Sequence, residues 1–247
     1  MFTYFRVTKV LSLDIPRAPV TKERPTSPST FLFCYDTNMK DDLAQLHKDT
    51  YDMVADEYED RVETLRPTTE DALSNFTDLL DTGDKVLDIG CAVGYTVEIM
   101  RSSGVVVDGI DIAPKMIEYA QRRNPDSNFI VGDFLETDYP QSYYDGVLMY
   151  AFLHLFPKDV AMECLDKAIV VTKPGGLIFT GTTKSDEPSE GFEIKHDYKK
   201  EVKRYRKRWT QAELEEVFAS RNLTVVDYAE KVDEFGKIWM DYIVRTP

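Results

Sequence analysis

The stretch VLDIGCAVGYT, residues 86–96, decides how this sequence folds. An apolar run leads into an acid, Asp88, and then into two glycines four residues apart, Gly90 and Gly94. Because glycine adopts backbone conformations that other residues resist, Gly90 lets the chain turn sharply, and Gly94 lets the next helix pack close to the strand. The stretch therefore predicts a buried strand, a ligand-binding turn and a helix.

Short apolar runs alternate with amphipathic segments after this loop. The candidate strands are residues 85–89, 105–110, 128–131, 145–150 and 177–181, and the candidate helices between them are 95–102, 114–123 and 158–171. Such alternation is typical of a parallel, doubly wound sheet. Two β-rich runs at 224–228 and 237–244 predict an antiparallel hairpin that closes the sheet.

The first 38 residues differ from the remainder, since they are locally basic and hold four of the twelve prolines. We expect a flexible extension over 1–38 and one folded domain over 39–247. Two alternatives are a mitochondrial presequence and an upstream start in the gene model, with Met39 opening the working protein. From residue 40 the apolar residues recur at helical spacing.

Composition excludes several classes of protein. No apolar run approaches the roughly 20 residues of a membrane span, and no secretory signal is recognisable. The three cysteines have no disulfide or metal-site spacing, which indicates a reducing compartment, so we expect a cytoplasmic protein without a metal. A net charge of −14 disfavours nucleic acid as a partner. No oligomeric state is predicted.

The loop spacing bears on the ligand. Dinucleotide-binding loops read G-x-G-x-x-G and place a pyrophosphate at a helix N-terminus. Here the spacing is D-x-G-x-x-x-G, and an acid at the front would repel a pyrophosphate but could face a cationic ligand. The spacing therefore disfavours a nicotinamide oxidoreductase.

VLDIGCAVG resembles the first motif of the class I S-adenosylmethionine-dependent methyltransferases, of the small-molecule type. Four further segments resemble later motifs in the family order: GIDIAPKMIEYAQRR, FIVGDFLE, YDGVLMYAFLHLF and KPGGLIFTGT. The likeness spans about residues 51–182. It implies a Rossmann-like, seven-stranded, mostly parallel sheet with a C-terminal antiparallel hairpin and an N-terminal helical lid.

The resemblance also implies S-adenosylmethionine as cofactor. Asp111 would accept hydrogen bonds from both ribose hydroxyls, Asp133 would meet the adenine amino group, and Phe134 would flank the ring. The full set of implied contacts is Asp88, Gly90, Gly94, Asp111, Ile112, Asp133, Phe134 and Met149, with Tyr51 and Tyr58 on the lid helix. Each acid taken alone could equally be a polar strand end or a turn residue.

The expected reaction is transfer of a methyl group to oxygen or nitrogen of a small organic acceptor. A neutral hydroxyl would need a general base, and His154, after the fourth strand, is the candidate; it could also be a hydrogen-bonded structural histidine. His196 is a lesser candidate, and His47 is expected on a helix surface.

Residues 195–208 are basic in an acidic chain. The spacing of Tyr198, Val202, Tyr205 and Trp209 predicts an amphipathic helix whose basic residues form a solvated face. Such a helix could also dock a protein or RNA substrate, and this is the alternative enzyme function. A non-catalytic, cofactor-binding regulatory module is the alternative outside the enzymes.

Overall fold

A computed structural model describes residues 36–247 except Asp197 and Glu234, with side chains described from Met39 onward. The predicted extension falls mainly on residues outside this range. Helix α1 already includes residues 36–38, so its start precedes the predicted boundary at residue 39. The division into 1–38 and 39–247 stays a prediction.

The described chain begins with two helices and continues as alternating strands and helices. The helices are α1 (Asp36–Glu59), α2 (Val62–Asp78), α3 (Tyr95–Ser102), α4 (Pro114–Arg123), α5 (Lys158–Val171) and α6 (Gln211–Ser220), with a 3₁₀ turn at Leu153–Leu155. The strands are β1 (Lys85–Ile89), β2 (Val106–Asp111), β3 (Phe129–Val131), β4 (Tyr144–Tyr150), β5 (Thr172–Thr183), β6 (Ser189–Lys195), β7 (Val202–Arg208), β8 (Thr224–Val232) and β9 (Ile238–Arg245).

Seven strands form one sheet in the order β3-β2-β1-β4-β5-β9-β8. Strands β1 to β5 are parallel, whereas β9 pairs antiparallel with both β5 and β8. The predicted fold class, including the C-terminal hairpin, is thus confirmed. Strand β1 is buried along almost its whole length, as expected of a central strand covered on both faces.

The sheet order places a ligand crevice at one location. From β1 the chain winds outward through β2 and β3, and it then returns to the other side of β1 with β4. Ligands of open α/β sheets bind at such a reversal, beyond the carboxyl ends of the strands. The loop after β1 and the segment after β4 flank this crevice.

The helix predicted over residues 195–208 is wrong. Strands β6 and β7 form a separate two-stranded antiparallel sheet in which Phe192 lies opposite Tyr205 and Glu193 lies opposite Arg204. The first pair is an edge-to-face ring contact at 5.3 Å and the second is an ion pair. Cross-strand pairs of this kind stabilise a hairpin. The helical spacing of the apolar residues in this segment was therefore coincidental.

Candidate functional site

A cavity opens at the predicted crevice. Its volume is about 1570 Å³ when the open solvent at its mouth is included. The loop after β1, the ends of β2 and β4, helix α1, strand β7 and the β8–β9 turn all contribute wall residues.

The glycine loop uses left-handed backbone that glycine adopts freely, and its neighbours leave no room for a side chain at either glycine. Gly90 has a φ of 74°, and a Cβ there would lie 2.9 Å from the ring of Phe152. Gly94 has a φ of 76°, and a Cβ there would lie 2.9 Å from both Cα and Cβ of Ala120. The close approach at Gly94 is therefore to helix α4, whereas the sequence predicted strand β1.

Asp111 connects this loop to the end of β2. One carboxylate oxygen accepts the backbone N–H of Ala92 at 3.0 Å, and the other accepts the backbone N–H of Ala113 at 2.9 Å. Burial raises the pKa of Asp111 to about 6, against the opposing effect of these N–H donors. Carboxylate oxygens have further lone pairs, so Asp111, which lines the cavity, can accept additional hydrogen bonds.

Asp133 and Phe134 lie beyond β3 and also line the cavity, as does Ile112 after β2. A carboxylate oxygen of Asp133 accepts the backbone N–H of Leu135 at 2.8 Å, which fixes the turn. Phe134 is buried and packs against Tyr139. The two carboxylates can accept hydrogen bonds from a diol and an amine, and the aromatic ring can pack against a flat ring of a ligand.

Tyr51 and Tyr58 on α1 line the cavity, and their role as lid residues stays a prediction. Helix α1 also contacts the second sheet, because the Thr50 hydroxyl donates to the carbonyl of Lys203 on β7. Further along, the guanidinium of Arg61 lies 4.3 Å from the ring centre of Tyr198. The lid and the β6–β7 hairpin thus form one wall.

Three predicted contact residues do not line the cavity: Gly94, which packs against α4, and Asp88 and Met149. Asp88 is buried and accepts a hydrogen bond of 2.5 Å from the Thr96 hydroxyl on α3, while burial raises its pKa to about 7. Met149 is fully buried in the main hydrophobic core. Side chains alternate along a strand, so the cavity receives their neighbours Ile89 and Tyr150 instead.

His154 lies in the cavity wall, buried, with Nδ1 3.0 Å from the Thr182 hydroxyl. Burial lowers its pKa well below the usual value, and the positive charges of Arg206, Arg204, Lys195 and Lys237 lower it further. The imidazole is neutral at pH 7. His196, in contrast, is exposed and pairs with Glu201.

His47 was wrongly predicted to lie on a surface. It is 3% exposed, lines the cavity, and packs edge-to-face on Phe156 at 5.2 Å. Its Nε2 is buried without a hydrogen-bond partner in the described part of the chain. Burial lowers the pKa of His47 to about 4.

The sequence analysis assigned the basic residues of 195–208 to the solvated face of a helix, but Arg204 and Arg206 lie in this wall. They stand two residues apart on β7, so they share one face of that strand. The alternation Arg-Tyr-Arg at residues 204–206 is typical of a strand and would have predicted this shared face, but the segment was interpreted as a helix.

Ala92 occupies the loop position where a glycine would be least strained. Its φ is 46°, in the left-handed region. We expect Ala92→Gly to change S-adenosylhomocysteine affinity by less than about threefold and stability by less than about 1 kcal/mol, because relief of the left-handed strain offsets the entropy of an added glycine. Ligand titration and thermal unfolding test this. A tenfold change in affinity would mean that the loop is misplaced relative to the ligand.

No helix in residues 36–247, as far as they are described, is long and apolar enough to cross a membrane. Nor do the described residues contain a group of three or more potential metal ligands.

Comparison with known proteins agrees with this geometry. Residues 86–176 match a family described as a methyltransferase domain. A demethylmenaquinone methyltransferase of Beutenbergia cavernae is 30% identical over 147 residues, which cover 55% of this chain and 59% of that protein. A malonyl-[acyl-carrier protein] O-methyltransferase of Serratia marcescens is 29% identical over 100 residues, covering 40% and 38% of the two chains. The chain thus spans less than two thirds of the length of these relatives.

Among solved structures, the Burkholderia thailandensis 1,6-didemethyltoxoflavin-N1-methyltransferase, with bound 1,6-didemethyltoxoflavin and S-adenosylhomocysteine, superposes with a TM-score of 0.66 at 20% identity. The superposition covers 85% of this chain and 89% of that one. At such identity the likeness establishes the fold. Residues 86–176 are therefore a methyltransferase domain, and the chain has the fold of the class I S-adenosylmethionine-dependent methyltransferases.

Proposed function

We propose that this protein transfers a methyl group from S-adenosylmethionine to oxygen or nitrogen of a small organic acceptor. The observation that carries the proposal is the meeting of Asp111 and Asp133 in one cavity, at adjacent strand ends beside the glycine loop. Acids at these positions suit a ribose diol and an adenine amine through charge-assisted hydrogen bonds. They are unfavourable for a pyrophosphate.

The chain fits such a cofactor in a specific way. Asp111 would hold the ribose. Asp133 and Phe134 would hold the adenine, and Ile112 would lie beside the adenine. The backbone at Gly90 would leave room for the amino-acid portion. Gly94 supports the loop, Tyr51 and Tyr58 close the lid side, and Asp88 and Met149 act through the fold around the site. When bound, S-adenosylmethionine supplies an electrophilic methyl group on a sulfonium.

What this chain contributes to the reaction is orientation, exclusion of water and, for a hydroxyl acceptor, removal of a proton. Tyr150 is the last residue of β4, Phe152 follows two residues later, and both line the cavity. His154 lies next to them, neutral and able to accept a proton. We propose His154 as the base.

We also propose that the protein is located in the cytoplasm, because Cys91 and Cys164 are free, buried thiols.

Calorimetric titration tests the cofactor assignment. S-adenosylmethionine and S-adenosylhomocysteine should each bind in a 1:1 complex, and NADH should not bind. Binding of NADH in place of the sulfur compounds would contradict the assignment.

Cofactor affinity should depend on pH through Asp111. The ribose hydroxyls need the ionised carboxylate, and its pKa is raised to about 6 by burial. Affinity for S-adenosylhomocysteine should therefore be constant above neutrality and should fall below about pH 6, by up to about tenfold per pH unit. Titrations from pH 5 to pH 8 measure this, with Asp111→Asn as the control that should lack the decline. An affinity that rises as the pH falls would contradict the assignment.

The base proposal predicts that His154→Gln lowers kcat by about tenfold or more on a hydroxyl acceptor, with KM changed less. The loss of kcat should lie at the low end of the range usual for general bases, because the lowered pKa makes this imidazole a weak base. Steady-state kinetics at several pH values provide the measurement. Full turnover by the variant would remove His154 from the reaction.

A further inference from the structure

The acceptor half of the cavity carries positive charge. Sheet order separates two halves: β2 ends at Asp111 and Asp133 lies just beyond β3, whereas β5 and the start of β9 lie on the far side of β4. The described basic residues of that far side come mainly from the hairpin and the β8–β9 turn: Lys195, Arg204, Arg206 and Lys237. The cavity is thus acidic where the cofactor is proposed to bind and basic where an acceptor would lie.

Two arginines of β7 share one strand face but differ in their partners. Glu193 lies opposite Arg204 in the hairpin, and one of its carboxylate oxygens accepts from Arg204 at 2.6 and 2.9 Å. Gly191 lies opposite Arg206. Because glycine has no side chain, the hairpin neutralises Arg204 and provides no carboxylate for Arg206.

Arg206 is 7% exposed and donates one hydrogen bond, to the Thr183 hydroxyl at the end of β5. Within the described residues it has no carboxylate partner, although a guanidinium has five N–H donors. Burial lowers its pKa to about 10, and the charge of Arg204 adds to the effect, whereas the charge of Glu193 opposes it. A buried, unpaired cation is costly to maintain, so a ligand that completes its pairing is the physical explanation for it.

The one described acid of this half that lines the cavity is already engaged. Asp233 accepts the backbone N–H groups of Phe235 and Lys237 with one oxygen and the indole N–H of Trp239 with the other. His47 adds a second polar group, since its buried Nε2 has no hydrogen-bond partner among the described residues. A neutral imidazole can donate from Nε2 to an anion.

We propose that the methyl acceptor carries a carboxylate or phosphate group and that Arg206 binds this oxyanion, with His47 as a further donor. The proposal rests on the methyltransferase function and adds the chemical class of its substrate. Guanidinium and oxyanion match as a planar fork with parallel hydrogen bonds. Tyr150 and Trp239, stacked at 5.3 Å, line the same half and suit an apolar body for the acceptor.

Chemical treatment of a metabolite extract tests the class of acceptor. The extract is assayed with labelled S-adenosylmethionine untreated, after alkaline phosphatase, and after carbodiimide with excess methylamine, which converts carboxylates into neutral amides. Loss of methyl incorporation after phosphatase assigns a phosphate ester, and loss after amidation alone assigns a carboxylate. Incorporation that survives both treatments would overturn the proposal. An untreated extract that accepts no methyl group would instead count against the methyltransferase function, and the inference would fall with it.

Variants of β7 test the residue. Arg206→Gln should raise the acceptor KM by at least about tenfold, the usual weight of a hydrogen-bonded charge pair, and Arg206→Lys should recover part of the loss. Arg208→Gln is the matched control, because Arg208 is half exposed, pairs with Glu193 and does not line the cavity. The control should leave the acceptor KM unchanged.

A second measurement separates acceptor binding from cofactor binding and from misfolding. Arg206→Gln should keep its S-adenosylhomocysteine affinity within about twofold and melt no lower than the wild-type protein, since it removes a buried unpaired charge. If the variant instead lost affinity for S-adenosylhomocysteine, Arg206 would hold the carboxylate of the cofactor, and the proposal would be wrong. An unchanged acceptor KM in a folded variant would also overturn it.

Discussion

Replacing Asp111 with alanine should weaken S-adenosylhomocysteine binding by about 100-fold or more. Two charge-assisted hydrogen bonds to the ribose would be lost, each of about 1.5–3 kcal/mol. The same change releases the backbone N–H groups of Ala92 and Ala113, which the carboxylate accepts at 3.0 and 2.9 Å. The loop that faces the cofactor would thereby lose its connection to β2. Calorimetric titration measures the effect.

Asp108→Ala is the matched control for this experiment. Asp108 lies on the same strand and accepts from Asn128 and Tyr144, away from the cavity. Its removal should change the ligand affinity by no more than about twofold, since no cofactor contact is lost. An Asp111→Ala variant that is folded and binds S-adenosylhomocysteine as tightly as the wild-type protein would contradict the ribose assignment.

Gly94→Ala should destabilise the protein by about 3 kcal/mol. About 1 kcal/mol comes from placing an L-residue at a φ of 76°. Overpacking adds about 1–3 kcal/mol, because the new Cβ would lie 2.9 Å from Cα of Ala120 on α4. The contact is with backbone, so rotation of a side chain cannot relieve it. Chemical denaturation measures the loss.

Gly175→Ala isolates the conformational part of that loss. Gly175 has a φ of 77°, nearly that of Gly94, but no heavy atom lies within 4 Å of the position a Cβ would take. This variant should therefore lose only about 1 kcal/mol. Equal losses at the two sites would show that the close approach of α3 and α4 at Gly94 has no energetic weight.

Much of the fold follows from local signals in the sequence. The predicted bounds of β1, α3, α4 and α5 agree with the structure to the residue. Their signals are strong, since β1 is a short apolar run ended by a glycine turn and α4 begins with Pro114 at its first turn. The motifs also predicted that Gly90, Asp111 and Asp133 lie at strand ends, and all three line the cavity; their contacts with a cofactor stay a prediction.

What the sequence could not provide is the side on which a side chain lies. Asp88 and Met149 belong to motif strands, but alternation directs them away from the cavity. Arg206 became visible only through its pairing register, because the glycine opposite it stands fifteen residues earlier in the chain. The register was not predicted because the apolar residues of this segment recur at helical spacing. Likewise, the burial of His47 depends on contacts between α1 and later segments.

Transfer of a labelled methyl group tests the central claim most directly. The protein is incubated with methyl-labelled S-adenosylmethionine and a whole-cell extract that contains metabolites, protein and RNA, and each fraction is then analysed by mass spectrometry. One small molecule should gain one labelled methyl group as an equal amount of S-adenosylhomocysteine forms. Label in protein or RNA, or tight S-adenosylhomocysteine binding with no label transferred to any fraction, would contradict the claim.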